Sequence, residues 1–254
     1  MVKIRKRLKL YITAVNRYKR SKGFGIHSPF AFAFVLRVLR EQSAYYAYSD
    51  IGERRRLAGS LARNVEGKRP KLISMKSAKM LFRIACYFQP EVMLQIGTSY
   101  GVSTTALLDV SSTSRMVIYK GREAHEAVYD AVTRRYSGRI TPCASLEAAI
   151  ARYTGESGDL ADRAAGTGMS AAPFVLVNAI DNNTDLNVCA DALIGFINAG
   201  GTVVFRNLMR SSLMARLFAC VDGSISHGMT FTNSRVAVIV GLRHLPRQRF
   251  SLWF

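Results

Sequence analysis

The chain has few of the residues from which metal sites and disulfide frameworks are built. Its 254 residues include four cysteines and four histidines. The cysteines stand in apolar segments and form no C-x-x-C pair, so we expect buried free thiols and a reducing compartment. The histidines lack the spacing of metal ligands, and we expect no metal site. These residues are Cys86, Cys143, Cys189, Cys220, His27, His125, His227 and His244.

Long apolar runs are also missing. None approaches the roughly 18 to 20 residues that cross a bilayer, so the sequence predicts no transmembrane segment. The basic amino-terminal residues lack the apolar core and cleavage site of a signal peptide. We therefore expect a cytoplasmic protein, and its 49% hydrophobic content is ample for a full core.

Acidic residues are scarce, and unevenly so. The chain holds 17 Asp and Glu against 36 Lys and Arg, a formal net charge of +19. Residues 1–80 hold 20 Lys and Arg against 4 acids, whereas the remaining 174 residues hold 16 against 13. A basic amino-terminal third favours an anionic partner such as nucleic acid, a membrane surface or an acidic protein. The alternative is that this charge only keeps the protein soluble.

The first ninety residues read as helices. Residues 2–20 combine a helical apolar spacing with a basic opposite face, and Pro29 after Ser28 starts a second helix. Further helices are predicted from Asp50 to about Asn64 and from Ser74 to Phe88. In the third, we expect Arg54, Arg55 and Arg56 to be exposed and Ile51, Leu57 and Leu61 to face inward. Residues 1–89 are thus expected to form a helical, strongly basic unit, the basic cap, packed on a domain spanning residues 90–254.

Beyond the basic cap, strands and helices alternate. Apolar runs predict seven strands at 92–96, 116–119, 139–143, 174–178, 202–206, 224–231 and 235–241, the last two joined as a hairpin. The small, polar, glycine-rich residues 154–172 are expected to form a flexible loop. The pattern predicts an α/β fold with a doubly wound, mostly parallel seven-stranded sheet and an antiparallel edge.

The first predicted strand runs into a glycine-bracketed turn, Gly97-Thr98-Ser99-Tyr100-Gly101, and a helix from Val102 onward. Glycines at both ends allow positive φ and a close approach of a ligand to the backbone. The carboxyl ends of parallel strands are where open α/β sheets bind ligands. The turn is therefore a candidate seat for a polar or anionic small molecule, and a tight connector without a ligand is the alternative.

Two motifs carry a resemblance to a known family. GFGIHSPFAF at 23–32 and LQIGTSYGVST at 94–104 resemble the helical entry motif and first cofactor motif of a small-molecule O-methyltransferase-like group. That group belongs to the class I S-adenosylmethionine-dependent methyltransferases, and the likeness extends over nearly the whole chain. It implies a Rossmann-like methyltransferase fold, S-adenosylmethionine as cofactor and a small-molecule acceptor. By this resemblance the cofactor-binding positions are Gln95, Gly97, Thr98, Ser99, Gly101, Lys120 and Asn178.

Several of these positions depart from the family pattern. Gln95 stands where the family usually has an acid before the glycine turn, and Asn178 replaces the acid that ends the fourth strand. Lys120 replaces the acid that accepts hydrogen bonds from both ribose hydroxyls, although a lysine ammonium only donates. An Asp-Asp pair after the fifth strand is matched by Arg206-Asn207. A site that should carry about four carboxylates carries none and gains two cations.

Two functions follow from these substitutions. One is a methyltransferase with a degenerate pocket, weakly active or inactive, for which the sequence identifies no catalytic base. The other is a binding or scaffold protein that uses the basic cap. Asp181 and Asp185 could reach the site, or be a solvated loop residue and a helix cap. His27 could cover the pocket or pin a turn, and the 154–172 segment could supply an acid from Glu156, Asp159 or Asp162.

Overall fold

The computed structural model describes residues 13–67, 70–121, 125–164 and 172–254. The strands are β1 (Val92–Ile96), β2 (Arg115–Tyr119), β3 (Ile140–Cys143), β4 (Phe174–Val177), β5 (Thr202–Phe205), β6 (Met229–Thr232), β7 (Ala237–Val240) and β8 (Gln248–Ser251). The helices are α1 (13–21), α2 (Pro29–Phe34), α3 (Ala47–Glu66), α4 (Met75–Phe88), α5 (Val102–Leu108), α6 (Glu126–Thr133), α7 (Leu146–Ala164), α8 (Leu186–Asn198) and α9 (Ser212–Ser224). A π-turn (Val35–Leu39) continues α2, and a 3₁₀ segment (Arg134–Arg139) follows α6.

The strands form one sheet in the order β3-β2-β1-β4-β5-β7-β6-β8. The five strands from β3 to β5 are parallel, and β7 is antiparallel to both of its neighbours. The predicted doubly wound, mostly parallel, Rossmann-like class is confirmed. The predicted strand count was wrong, because β8 adds an eighth strand parallel to β6. Its sequence, QRFS, escaped prediction since only Phe250 is buried.

Both faces of the sheet are covered. In β1, Met93 packs in a cluster with the π-turn and α4, whereas the next residue, Leu94, packs in a cluster with α7, α8 and α9. Alternating side chains along a strand point to opposite faces, so a strand with five buried residues in a row needs helices on both sides. Of the helices that precede β1, α2 with its π-turn and α4 thus share a hydrophobic core with the sheet.

Arg83 of α4 is a buried arginine that fixes the end of the π-turn. Its Nε and Nη2 donate to the backbone oxygens of Val38 at 2.6 Å and Leu39 at 3.1 Å, and its Nη1 donates to the Tyr48 hydroxyl at 3.0 Å. The last carbonyls of a helix have no intrahelical partner. Arg83 supplies the missing donors and ties the amino-terminal helices to α4.

Two predictions about helices were wrong. The segment expected to form a loop from Thr154 is helical as far as Ala164, because α7 continues through it. There the hydroxyls of Thr154 and Ser157 donate to carbonyls one turn back, and Arg152 pairs with Glu156 at 2.7 Å. These local bonds satisfy polar side chains within a helix. Residues 165–171 lie outside the described part of the chain.

The second wrong prediction concerns the arginine run of α3. Arg54 pairs with Asp109 and has only 11% of its side chain exposed, while Arg55 donates to the Ile73 carbonyl at 2.7 Å. Only Arg56 is exposed, and Leu57, predicted to face inward, is 43% exposed. The apolar face of α3 is therefore rotated from the predicted one. Residues 1–12 of the predicted first helix lie outside the described residues.

The cysteines were also only partly predicted. Cys189 is buried, Cys86 and Cys143 are half-buried, and Cys220 is exposed on α9. All four are free thiols. Burial raises the pKa of Cys86 to about 11 and that of Cys189 to about 12. Among the described residues, no helix is long and apolar enough to cross a membrane.

Candidate ligand-binding cleft

A cleft of about 510 Å³ opens where β1, β2, β4 and β5 end. Of the seven positions predicted to bind a cofactor, five line it: Gly97, Thr98, Ser99, Lys120 and Asn178. Gln95 lies beneath the turn, and Gly101 faces away from the cleft toward α6. The structure thus brings five of the seven positions together along one cleft, although the side chains have partners that the sequence did not reveal.

Gly97 is required by packing inside the protein. Its φ is +77°, and a Cβ at this position would lie 2.7 Å from the carbonyl oxygen and 2.8 Å from the nitrogen of Ala179. Gly101, at φ +82°, leaves similarly little room beside Thr133, 3.0 Å from its Cβ position. Both glycines therefore let the turn pack closely against neighbouring loop and helix atoms. Neither holds space for a ligand in the direction of its missing side chain.

Gln95 is fully buried, and the protein itself uses both ends of its amide. Its Nε2 donates to the Gly97 carbonyl at 3.0 Å, and its Oε1 accepts from the Thr104 hydroxyl at 2.9 Å. A buried amide with both ends bonded costs little free energy. Gln95 holds the turn from beneath and does not line the cleft.

Asn178, at the end of β4, is at the centre of a hydrogen-bond network. Its Nδ2 donates to the Gly97 carbonyl at 2.9 Å and to the Ser103 hydroxyl at 3.0 Å. Its Oδ1 accepts from Arg206 Nη1 at 2.7 Å, and its main-chain oxygen accepts from Asn207 Nδ2 at 2.9 Å. These bonds join the ends of β1, β4 and β5, so that Asn178 is occupied by the protein.

Arg206 brings a positive charge into this network. Within the described residues its side chain makes one hydrogen bond, to Asn178, and its buried Nε has no partner. Desolvation, helped by the nearby Arg210 charge, lowers the pKa of Arg206 to about 10. The guanidinium still carries its proton at neutral pH. It is a partly buried cation next to an amide oxygen and a second arginine.

Lys120, at the end of β2, is placed differently. Its Nζ lies 3.6 Å from Glu126 Oε1 and 3.6 Å from Asp130 Oδ1, both on α6. It also lies 5.5 Å from the ring centroid of Tyr129. The main-chain oxygen of Lys120 accepts from the Thr98 nitrogen at 3.3 Å and thereby holds the glycine turn. The charge of Lys120 is compensated by neighbouring carboxylates.

The other candidate acids differ in whether they line the cleft. Asp181 lines the cleft and accepts from the Tyr119 hydroxyl at 3.2 Å. Asp185 caps α8 by accepting from Asn187 N at 2.8 Å, as the alternative interpretation held. Glu156 pairs with Arg152 on α7 and is not among the residues lining the cleft. The side chains of 159 and 162 lie outside the described residues.

His27 does not cover the pocket. The adjacent Ser28 caps α2, with its hydroxyl accepting from Ala31 N at 3.3 Å, and lies 3.8 Å from the sulfur of Met229. Met229 of β6 and Thr202, the first residue of β5, both pair with Val240 of β7. Met229 therefore lies at the end of the sheet where β5 begins. The HSPF segment therefore lies at the edge of the sheet opposite the cleft, and its role there is structural.

Sequence analysis missed several residues that line the cleft. His125 stacks on Tyr100 with ring centroids 4.0 Å apart and planes 5° apart. Arg210, Ser211 and Met214 enter from the start of α9, where Ser211 is the helix cap. The position of Arg210 just beyond the β5 end was a usable signal, because residues after parallel strands converge at this edge.

Charge in the cleft is unbalanced. Four of the described residues that line it are Lys or Arg, and one, Asp181, is acidic. The cations are Lys71, Lys120, Arg206 and Arg210. Low-dielectric walls strengthen the field of such a cluster, which favours anionic ligands. Among the described residues, no three His, Cys, Asp or Glu side chains cluster as metal ligands.

Comparison with known proteins gives a limited likeness. No protein-family model matches the chain, and no curated protein sequence matches it. Among solved structures, it is similar to cofactor-bound Rv0187 from MTB, with 18% identity, 82% of this chain and 100% of that chain covered, and a TM-score of 0.49. The O-methyltransferase from Bacillus cereus in complex with SAH has 15% identity, 82% and 95% coverage and a TM-score of 0.48.

A third structure, the SAH-bound methyltransferase of Podospora anserina, has 10% identity, 85% and 97% coverage and a TM-score of 0.49. Likeness at this level does not identify the family of this chain. Its function has to be inferred from its own residues.

Proposed function

We propose that this chain is a class I S-adenosylmethionine-dependent methyltransferase-family protein whose cofactor pocket is degenerate, so that methyl transfer is weak or absent. The family part rests on the HSPF and LQIGTSYGVST motifs and on the doubly wound sheet with an antiparallel β7. The inference that the pocket is degenerate rests on the hydrogen bonds that join Gln95, Asn178 and Arg206 to other groups of the protein.

The described residues do not fit S-adenosylmethionine. The acceptor oxygens of Gln95 and Asn178 already receive hydrogen bonds from Thr104 and Arg206. Lys120 offers donors only, where a ribose diol needs an acceptor. Arg206 places a cation in a cleft that would also have to hold the sulfonium of the cofactor. A cationic cleft opposes that ligand electrostatically.

The expected loss of affinity is large. Each missing charge-assisted hydrogen bond costs about 1.5–3 kcal/mol. Since 1.4 kcal/mol corresponds to a factor of ten in affinity, two or three losses weaken binding by roughly three to five orders of magnitude. A cofactor that a complete site binds at micromolar concentration would then bind outside the useful range.

Residual binding through Asp181 is the second candidate. Asp181 is the single carboxylate among the described residues that line the cleft, and its Oδ2 would lie 3.4 Å from a Cβ built on Gly121, just after β2. It thus stands near the position where the family has its ribose-binding acid. A weakly active methyltransferase would use this side chain as a substitute acceptor.

Calorimetric titration with S-adenosylmethionine and S-adenosylhomocysteine tests the proposal. We expect no saturable binding of either below about 1 mM by the unaltered chain. The double variant Lys120→Glu/Arg206→Asp, which restores two acids, should gain measurable affinity. Micromolar binding by the unaltered chain would overturn the proposal. Weak binding that disappears in Asp181→Asn would establish the second candidate.

The scaffold function of the basic cap has less support than the sequence suggests. Arg54 and Arg55, two of its proposed contacts with an anionic partner, are used in internal bonds to Asp109 and Ile73. The remaining basic side chains that the sequence offers for such contacts are Arg56, which is exposed, and Lys3, Arg5, Lys6, Arg7 and Lys9, which lie outside the described residues. The cleft therefore remains the better-supported functional site.

A further inference from the structure

The cleft contains two arginines whose positive charges are not neutralised by acids of the described residues. Arg206 and Arg210 both line it, and neither forms an ion pair with an acid in the described part of the chain. Arg206 presents up to five N–H donors. One of them donates to Asn178, and the buried Nε has no partner.

A partly buried cation without a counter-charge is unfavourable in a folded protein, and Arg206 is such a cation, whereas Arg210 beside it is exposed. Burial penalises the charged form of Arg206, and the charge of Arg210 adds to that penalty. Lys120, in the same cleft, has two carboxylates within 3.6 Å, which shows that this edge of the sheet can accommodate counter-charges. The uncompensated pair therefore indicates a ligand that brings its own negative charge.

The start of α9 adds to the same field. Ser211 caps this 13-residue helix and lines the cleft beside Arg210, and Met214 of its first turn lines it too. The amino-terminal end of a helix carries a partial positive charge. Two guanidinium groups and a helix end thus line the same cleft.

We infer that Arg206, Arg210 and the start of α9 form a binding subsite for the phosphate group of a small molecule. Guanidinium groups match phosphate oxygens with paired hydrogen bonds, and two of them balance a dianion. A carboxylate carries half of that charge and leaves one cation uncompensated. The inference rests on the proposed function, because bound S-adenosylmethionine would place its sulfonium in the same cationic cleft.

The first experiment is calorimetric titration of the full chain with inorganic phosphate at constant ionic strength, with acetate titrated in parallel. We expect saturable phosphate binding with a Kd of about 1 mM or below. Acetate should bind at least about tenfold more weakly, because it brings one charge fewer. Absence of saturable phosphate binding up to about 10 mM overturns the inference, as does acetate binding equal to that of phosphate.

Two arginine variants distinguish phosphate binding at this subsite from nonspecific attraction of phosphate to the positive charge of the protein. Arg210→Gln should weaken phosphate binding by about tenfold or more, since it removes a charge-assisted hydrogen bond from an exposed side chain. Arg216→Gln is the matched control, because it removes the same charge from an exposed position of α9 outside the cleft. It should change the affinity by less than about twofold. Equal weakening by both variants overturns the inference.

Arg206→Gln should weaken binding as much as Arg210→Gln, and circular dichroism checks that it folds. If it does not fold, Arg210→Gln alone decides the matter. The phosphate titration and the cofactor titration test the subsite and the proposed function separately. Absence of both kinds of binding removes the subsite and leaves the proposed function intact, whereas micromolar cofactor binding overturns the proposed function whatever phosphate does.

Discussion

By the resemblance stated above, Lys120 and Arg206 both stand at positions where the methyltransferase pattern has an acid, yet their surroundings differ. Lys120 is 26% exposed and lies between two carboxylates of α6, which are themselves 70% and 66% exposed. Arg206 is joined to the buried network of Asn178 and forms no ion pair with a carboxylate of the described residues. One cation belongs to the outer flank of the cleft, formed by β2 and α6. The other belongs to its inner part, formed by β1, β4 and β5.

This difference in surroundings indicates which of the two cations, Lys120 or Arg206, affects ligand binding. A compensated surface cation changes the field of the cleft little, because solvent and the paired carboxylates screen it. An uncompensated, partly buried cation keeps its field and destabilises the fold unless a ligand neutralises it. Perturbed cations in a cleft are candidates for binding sites, and here that criterion selects Arg206.

Gly97→Ala should give the largest effect, because it disturbs the inner part directly. The new Cβ would lie 2.7 Å from the Ala179 oxygen at a φ of +77°. Left-handed backbone and overpacking together cost about 3 kcal/mol. Gly121→Ala is the matched control on the outer flank, where φ is +72° and the nearest atom is 3.4 Å away. Urea unfolding should show the control losing about half as much or less, and equal losses would contradict the comparison.

Asn178→Ala should destabilise the protein by about 2 kcal/mol, because three side-chain hydrogen bonds disappear and Arg206 loses its acceptor. Asn183→Ala, in the exposed loop after β4, removes a similar side chain and should cost less than about 0.5 kcal/mol. Thermal and urea unfolding compare the two. A loss at Asn178 no larger than at Asn183 would mean that the network does not hold the strand ends together.

Much of the fold could be predicted from local sequence. The bounds of β1 were predicted to the residue, because the apolar run ends at Gly97. The extent of α7 was not predicted. Residues 154–158 contain glycines and hydroxyl side chains, a composition that is typical of a loop. Their bonds to preceding carbonyls form only once the helix exists.

Five of the seven positions predicted to bind a cofactor line the cleft, but the electrostatics of the cleft could not be predicted from the sequence. The family resemblance identified the positions where the pattern has acids; Gln95 lies within β1, and the others follow β2, β4 and β5. The partners could not be identified, since Arg206 meets Asn178 across two strands and Lys120 meets Glu126 and Asp130 on α6. Whether a cation is compensated depends on such tertiary contacts. For the same reason, the sequence overestimated the exposure of Arg54, which is paired with Asp109.

Arg206→Met should stabilise the protein by about 1 kcal/mol while removing phosphate binding. The pKa of Arg206 is lowered to about 10, so the folded state disfavours its charged form. Because a base is shifted downward, this penalty is present at neutral pH and is relieved only as the pH rises above about 10. Methionine removes the charge, and the loss of the bond to Asn178 offsets part of the gain.

Unfolding measured with and without inorganic phosphate checks this trade-off. Phosphate should raise the Tm of the unaltered chain, since a ligand that binds only the folded state stabilises it, and should leave the Tm of Arg206→Met unchanged. A variant that is less stable than the unaltered chain by more than about 1 kcal/mol would show that Arg206 is a structural residue.

Lys120→Met should have the smallest effect. Exposed ion pairs contribute about 0–1 kcal/mol, and the contact between the ammonium and the Tyr129 ring, 5.5 Å from Nζ to the centroid, is a small further loss. We expect a loss below about 0.5 kcal/mol in urea unfolding, vanishing in high salt, and phosphate affinity unchanged within about twofold. If Lys120→Met instead weakens phosphate binding as much as Arg210→Gln does, both cations act on the ligand. The carboxylates of α6 would then not neutralise Lys120, and the division of the cleft into a compensated flank and an uncompensated inner part would fail.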